Sequence, residues 1–91
     1  MNKINKSDFV SAKDSLHMEP GIMLKTLRKL QGLSQNDLAR KTGIAQANIS
    51  KMEKGEQQIG RERALVMAKA LKVHPAVILF PNYEVEYAEA V

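Results

Sequence analysis

Apolar residues recur at helical spacing between Pro20 and Pro81, and glycines and prolines cut that stretch into five pieces. Pro20 suits a first helical position, because the N–H it lacks is one a helix leaves unpaired anyway. Met23, Leu27 and Leu30 follow at spacings of four and three and mark one buried stripe, with Gly32 as the stop. Ser34-Gln35-Asn36-Asp37 is a near capping box, Asp standing where Glu is usual, and it opens a short second helix that buries Leu38 and Ala39. Thr42-Gly43 ends that helix, glycine being the natural left-handed residue there. A third helix is predicted over residues 46–54, with Ile49 and Met52 inward and Gly55 as its stop. A loop over residues 56–60 leads to a fourth helix over residues 61–72, where Leu65, Ala68 and Leu71 share a stripe with Ala64 beside it. His74, read as an N-cap, and Pro75 open a short fifth helix that Pro81 ends.

The flanks follow no such period. Residues 1–19 scatter Ile4, Phe9, Val10, Leu16 and Met18 among polar positions and read as an arm, with a short helix around residues 8–16. Beyond Pro81, Tyr83-Glu84-Val85-Glu86-Tyr87 alternates apolar and acidic side chains, the pattern of an exposed strand. The expected organisation is an N-terminal arm over residues 1–19, one all-α domain of five helices over residues 20–81, and an acidic tail over residues 82–91.

Composition narrows the chemistry. At 91 residues, 44% hydrophobic and 26% charged, the chain has the balance of one small globular domain. It has no cysteine, so neither disulfides nor thiolate metal sites supplement its core. The longest aliphatic and aromatic run, Ala76-Val77-Ile78-Leu79-Phe80, is far short of a bilayer span, and the first ten residues lack the apolar stretch of a signal peptide. A cytoplasmic location with no membrane partner is expected. Charge is uneven: residues 1–19 are neutral, residues 20–80 carry eleven Lys and Arg against four acids, and residues 81–91 carry three Glu and no base. A basic body with an acidic tail points to a polyanion, nucleic acid first. His17 and His74 have no carboxylate pair or cysteine near them in sequence, and no serine has an identifiable base, so neither a metal, a cofactor nor an enzyme is expected.

The most specific stretch is residues 33–55, LSQNDLARKTGIAQANISKMEKG. Two short helices joined by Thr42-Gly43-Ile44-Ala45, with small Ala39 at their crossing and Ile44 and Ile49 filling the angle, are laid out as a helix-turn-helix. The Leu-Ser-Gln opening, Leu-Ala, Gly, Ile-Ser and Glu-x-Gly resemble the Cro/C1 (Xre) family over roughly residues 22–80. That resemblance implies a five-helix lambda-repressor-like domain that binds double-stranded DNA at a palindromic operator and regulates transcription, most simply as a dimeric repressor.

Carried over by position, the resemblance puts Gln46, Ala47, Ser50 and Lys51 against base edges and Asn48 nearer the DNA backbone. The same resemblance implies that Gln35 grips a phosphate and braces the recognition helix, and that Arg28 forms an internal ion pair with Glu53. The side-chain chemistry agrees, since Gln pairs with adenine, Lys with guanine acceptors and an Ala methyl with the thymine methyl. Arg40, Lys41, Lys54, Arg61 and Arg63 are candidate phosphate contacts by charge and place. Two positions depart from the family: Ala45 stands where a Ser or Thr cap is usual, and Glu56 where a base often follows the glycine.

Val77, Ile78 and Phe80 give the fifth helix more apolar surface than a terminal element needs. They mark an interface for a homodimer that would set two recognition helices about 34 Å apart. The C-terminal half also resembles small HigA-like antitoxins, which implies a RelE/HigB-like ribonuclease toxin as a further partner. The alternative reading is a protein-interaction module, toxin-neutralising or scaffolding, with weak or no DNA binding.

Overall fold

The computed structural model of the chain describes residues 18–82. Every regular element among them is a helix: α1 (Pro20–Leu30), α2 (Gln35–Thr42), α3 (Gln46–Glu53), α4 (Arg61–Leu71) and α5 (Pro75–Leu79). The helix expected around residues 8–16 and the strand expected over residues 83–87 lie outside the described residues. No described helix is long and apolar enough to cross a membrane.

Local chemistry sets the boundaries. Pro20 occupies the first turn of α1, and its C-terminal turn closes with the Leu33 N–H on the Arg28 carbonyl at 3.1 Å and the Gly32 N–H on the Lys29 carbonyl at 3.0 Å. At the start of α2 the capping box is complete, the Ser34 hydroxyl accepting from the Asp37 N–H at 2.9 Å and the Asp37 carboxylate from the Ser34 N–H at 2.8 Å. The other helix starts are less well served: neither Ala45 before α3 nor Gly60 before α4 supplies a side-chain cap. His74 does, its Nδ1 accepting from the Ala76 N–H at 3.0 Å.

The helices enclose one core of Leu24, Leu38, Ile49, Met52, Met67, Ala68, Leu71 and Ile78. Helix α1 packs on α3 and α5, α2 on α3 and α4, and α4 on α5. Gly21 sets how closely α1 meets the end of α3. A Cβ there would stand 2.2 Å from the Met52 carbonyl oxygen, so only glycine fits. Gln31 adds a polar tie, its side-chain amide donating to the Leu71 carbonyl at 2.6 Å.

Three expected faces are turned. On α1 the buried line is Gly21, Leu24 and Arg28, while Leu30 is 77% exposed and Met23 and Leu27 are half-buried. Burying Arg28 against Glu53 rotates the helix by about one position from the stripe its leucines suggest. On α4 the buried line is Ala64, Met67, Ala68 and Leu71, which leaves Leu65 on the outside. On α5, Ile78 is fully buried in the domain's own core and is not available to a partner. A five-residue helix lying on the core must turn one side chain inward, and Ile78 is that side chain, leaving Val77 and Phe80 at the surface, 37% and 62% exposed.

Candidate nucleic-acid interface

Helices α2 and α3 meet across Gly43, Ile44 and Ala45. Gly43 adopts φ 78°, a left-handed conformation that turns the chain sharply out of α2. The Thr42 hydroxyl steadies the turn by donating to the Leu38 carbonyl at 2.8 Å and accepting from the Ile44 N–H at 3.1 Å.

Helix α3 then divides its side chains cleanly. Ile49, Met52 and Glu53 are buried. Gln46, Ala47 and Lys51 are exposed, and Asn48 and Ser50 are half-buried. The outward positions 46, 47, 50, 51 and 54 follow the helical repeat along one face, so this face carries amide, methyl, hydroxyl and ammonium groups within two turns. Its first turn holds no acidic residue, so the positive end of the helix dipole is uncompensated there.

A chain of side-chain hydrogen bonds runs from the core to this face. Arg28 Nε and Nη2 grip the Glu53 carboxylate in a two-pronged pair at 2.7 and 2.9 Å, and Arg28 Nη1 donates to the Leu33 carbonyl at 2.8 Å. Glu53 Oε1 also accepts from Gln35 Nε2 at 2.9 Å. Gln35 Oε1 in turn accepts from Gln46 Nε2 at 2.7 Å. Thus the first side chain of α3 is held through α2 by an ion pair that ties α1 to α3. Gln46 keeps its carbonyl oxygen and one amide hydrogen for another partner.

Burial alone would push the Glu53 carboxyl up, but hydrogen bonds from Arg28 and Gln35 and the charges of Arg28 and Lys25 outweigh it and hold the group below its ordinary value. The hydrogen bond to Glu53 likewise raises Arg28, so both partners are charged. Among the described residues no buried side-chain polar atom is left without a hydrogen bond.

The remaining cations frame the face. Arg40 sits on the outside of α2 and pairs with Asp37, whose carboxylate is held low chiefly by the Ser34 N–H. Lys41 and Lys54 are exposed near the ends of α2 and α3. Arg61 and Arg63 line an open concavity of about 740 Å³ at the start of α4, together with Gln58, Gly60, Glu62 and Leu65. Gln58 was not singled out by the sequence reading; only its place in the loop before α4 could have marked it.

A helix-turn-helix family model matches residues 24–78, which take in α2, α3 and both partners of the ion pair. No curated protein matches the sequence. The P22 c2 repressor protein, solved in complex with synthetic operator 9T in the presence of Tl+, is similar at 26% identity, over 72% of this chain and 100% of that one, with a TM-score of 0.68. The restriction-modification controller protein C.AhdI from Aeromonas hydrophila is similar at 30% identity, over 66% and 91% of the two chains, with a TM-score of 0.63. The solution structure of the P22 c2 repressor DNA-binding domain shares 26% identity over 67% and 80%, with a TM-score of 0.64. Sequence match, helix order and fold agree: the chain belongs to the Cro/C1-type helix-turn-helix family of transcriptional regulators.

Proposed function

We propose that this protein is a sequence-specific double-stranded DNA-binding regulator that acts as a dimeric repressor. The observation that carries the reading is the braced face of α3, where Gln46 is held by Gln35 beside outward Ala47, Ser50 and Lys51. An unbraced surface glutamine would have to give up side-chain freedom on binding, whereas Gln46 has already given much of it up. In this reading Gln46, Ala47, Ser50 and Lys51 meet base edges in the major groove. Gln35, Asn48, Arg40, Lys41, Lys54, Arg61 and Arg63 meet phosphates, with Arg40 exchanging Asp37 for the DNA.

Dimerisation falls to Val77 and Phe80, the exposed part of α5, beside an apolar groove of about 540 Å³. A two-fold axis there presents two α3 helices to successive major grooves about 34 Å apart. The P22 c2 repressor, whose whole chain is similar to most of this one, is seen with an operator, and that supports the same use here. An antitoxin role would fall to residues 1–17 and 83–91, outside the helix-turn-helix.

The test is fluorescence-anisotropy binding to DNA upstream of the protein's own coding region, against a shuffled duplex, over a salt series. Binding at least about a hundredfold tighter to the upstream duplex is expected, weakening by several powers of ten between about 50 and about 200 mM salt. No binding at low salt would overturn the reading and favour the interaction module, toward which Ala45, Ala47 and Glu56 lean.

A further inference from the structure

Three side chains dictate in turn which way the next one faces. The Glu53 carboxylate is ionised against Arg28, so both of its oxygens only accept. Gln35 Nε2 reaches Glu53 Oε1 at 2.9 Å. An acceptor there admits only the NH2 end of Gln35, and this turns the Gln35 carbonyl oxygen toward α3. That oxygen in turn admits only the NH2 end of Gln46, whose Nε2 donates to it at 2.7 Å. Turning the Gln46 amide over would set two carbonyl oxygens against each other. Turning Gln35 over as well would set an oxygen against the carboxylate. Glu53 is only 7% exposed, whereas Gln46 lies on the outward face of α3. A group in the core therefore fixes the order of donor and acceptor on a group at the surface.

We propose that Glu53 is a positioning residue for base recognition: without touching DNA it fixes which edge of the Gln46 amide is offered, and so excludes guanine at the base pair Gln46 meets. With one amide hydrogen committed to Gln35, Gln46 offers its carbonyl oxygen and its second hydrogen. In the major groove adenine presents a donor at N6 and an acceptor at N7, which that combination matches. Guanine presents two acceptors, O6 and N7. It is matched only by a Gln46 with both hydrogens outward, and that orientation needs a donor where the Gln35 oxygen stands. A glutamine left unheld turns over about its last torsion and meets either purine. The relay therefore acts by penalising the wrong base as much as by fitting the right one. The consequence for base choice rests on the DNA reading above, while the orientation of the two amides does not.

The experiment compares the full chain with Gln35→Lys, Glu53→Gln and Gln46→Ala. Lysine at position 35 keeps a donor toward Glu53 but sets an ammonium where the oxygen faced Gln46, so Gln46 must turn its own oxygen inward and both hydrogens outward. In the free full chain, NMR couplings across the hydrogen bonds are measured from Gln35 Nε2 to Glu53 Cδ and from Gln46 Nε2 to Gln35 Cδ. Anisotropy titrations then use the upstream duplex and a set in which each A·T pair is singly replaced by G·C. The pair that Gln46 meets is the one whose preference disappears in Gln46→Ala. Expected are both couplings, and an adenine preference at that pair of at least about tenfold. Glu53→Gln should reduce that preference at least about threefold, and Gln35→Lys should reverse it toward guanine. Weaker binding in both variants with the preference unchanged overturns the proposal, because Glu53 then serves the fold alone. Absence of both couplings overturns it too, as does specific binding in which no pair depends on Gln46. If Glu53→Gln does not fold, Gln35→Lys decides alone, since it leaves the Arg28 pair in place. Couplings present with equal binding to upstream and shuffled duplexes support the orientation set by Glu53 and overturn the DNA reading instead.

Discussion

Arg28 and Glu53 occupy positions in a small core where two apolar side chains would pack without any ionic cost. Removing two charges from water costs several kcal/mol, and the pair offsets this through its two-pronged geometry and through Gln35 and the Leu33 carbonyl. Because Glu53 is held below its ordinary value in the fold, its contribution is fully present above the ordinary glutamate range and is lost as pH falls through its folded value. Asp37 acts in the same direction. Glu53→Gln should cost about 3 kcal/mol near neutrality, since Arg28 keeps its charge without a counter-ion. The variant should then lose less further stability on acidification, a difference that urea unfolding between about pH 7 and about pH 3 would show. A parallel, steep acid loss in both proteins would mean that another carboxylate governs it. Gly21→Ala probes the other tight contact: with the Met52 carbonyl 2.2 Å from the new Cβ, helix α1 must shift, and a loss of about 3 kcal/mol in the same urea assay is expected.

At the scale of elements, α3 is the helix with the least local support. It has eight residues, no side-chain cap at Ala45 and no acid in its first turn, so its stability comes from Ile49, Met52 and Glu53 packing into the domain. Ala45 has φ −60° and ψ 140°, the extended conformation in which Ser or Thr reaches the first turn. Ala45→Ser should therefore add about 1 kcal/mol. In a domain of this size that raises the melting temperature by about 4–8 °C, readable by circular dichroism. An unchanged melting temperature would show that α3 is held wholly by its packing.

Element starts and stops were legible because proline, glycine and the Ser34–Asp37 box act locally and leave a mark in the sequence. Faces were less so. Met23 and Leu24 are both apolar, and only the burial of Arg28, a long-range event, decides which turns inward. Met67 against Leu65 on α4, and Ile78 against Val77 and Phe80 on α5, are the same ambiguity. The residues assigned to the candidate interface, and the bracing of α3 by Gln35, could be located by motif, but that Gln46 is the side chain Gln35 holds could not. It depends on the angle between α2 and α3, which Gly43 and the core set together.

For the whole molecule, the basic character of residues 20–80 raises the question of how much DNA binding is general attraction and how much is reading of sequence. The structure separates candidates for the two. Lys51 lies on the outward face of α3 beside Gln46, Ala47 and Ser50, while Lys54 and Arg61 lie at the end of α3 and the start of α4. A phosphate contact contributes equally to every sequence and releases a counter-ion, whereas a base contact contributes only where its partner base is present. Lys54→Ala and Arg61→Ala should each weaken binding to upstream and shuffled duplexes by a similar factor and flatten the salt dependence by about one unit of slope per site. Lys51→Ala should instead cost about 1–3 kcal/mol on the upstream duplex, little on the shuffled one, and relax the preference at a single base pair. Anisotropy titrations of the three variants on both duplexes, across the same salt series, make the comparison. If Lys51→Ala behaves like the other two, α3 lies along the DNA without reading it, and sequence preference must come from Gln46 or from how readily the DNA bends.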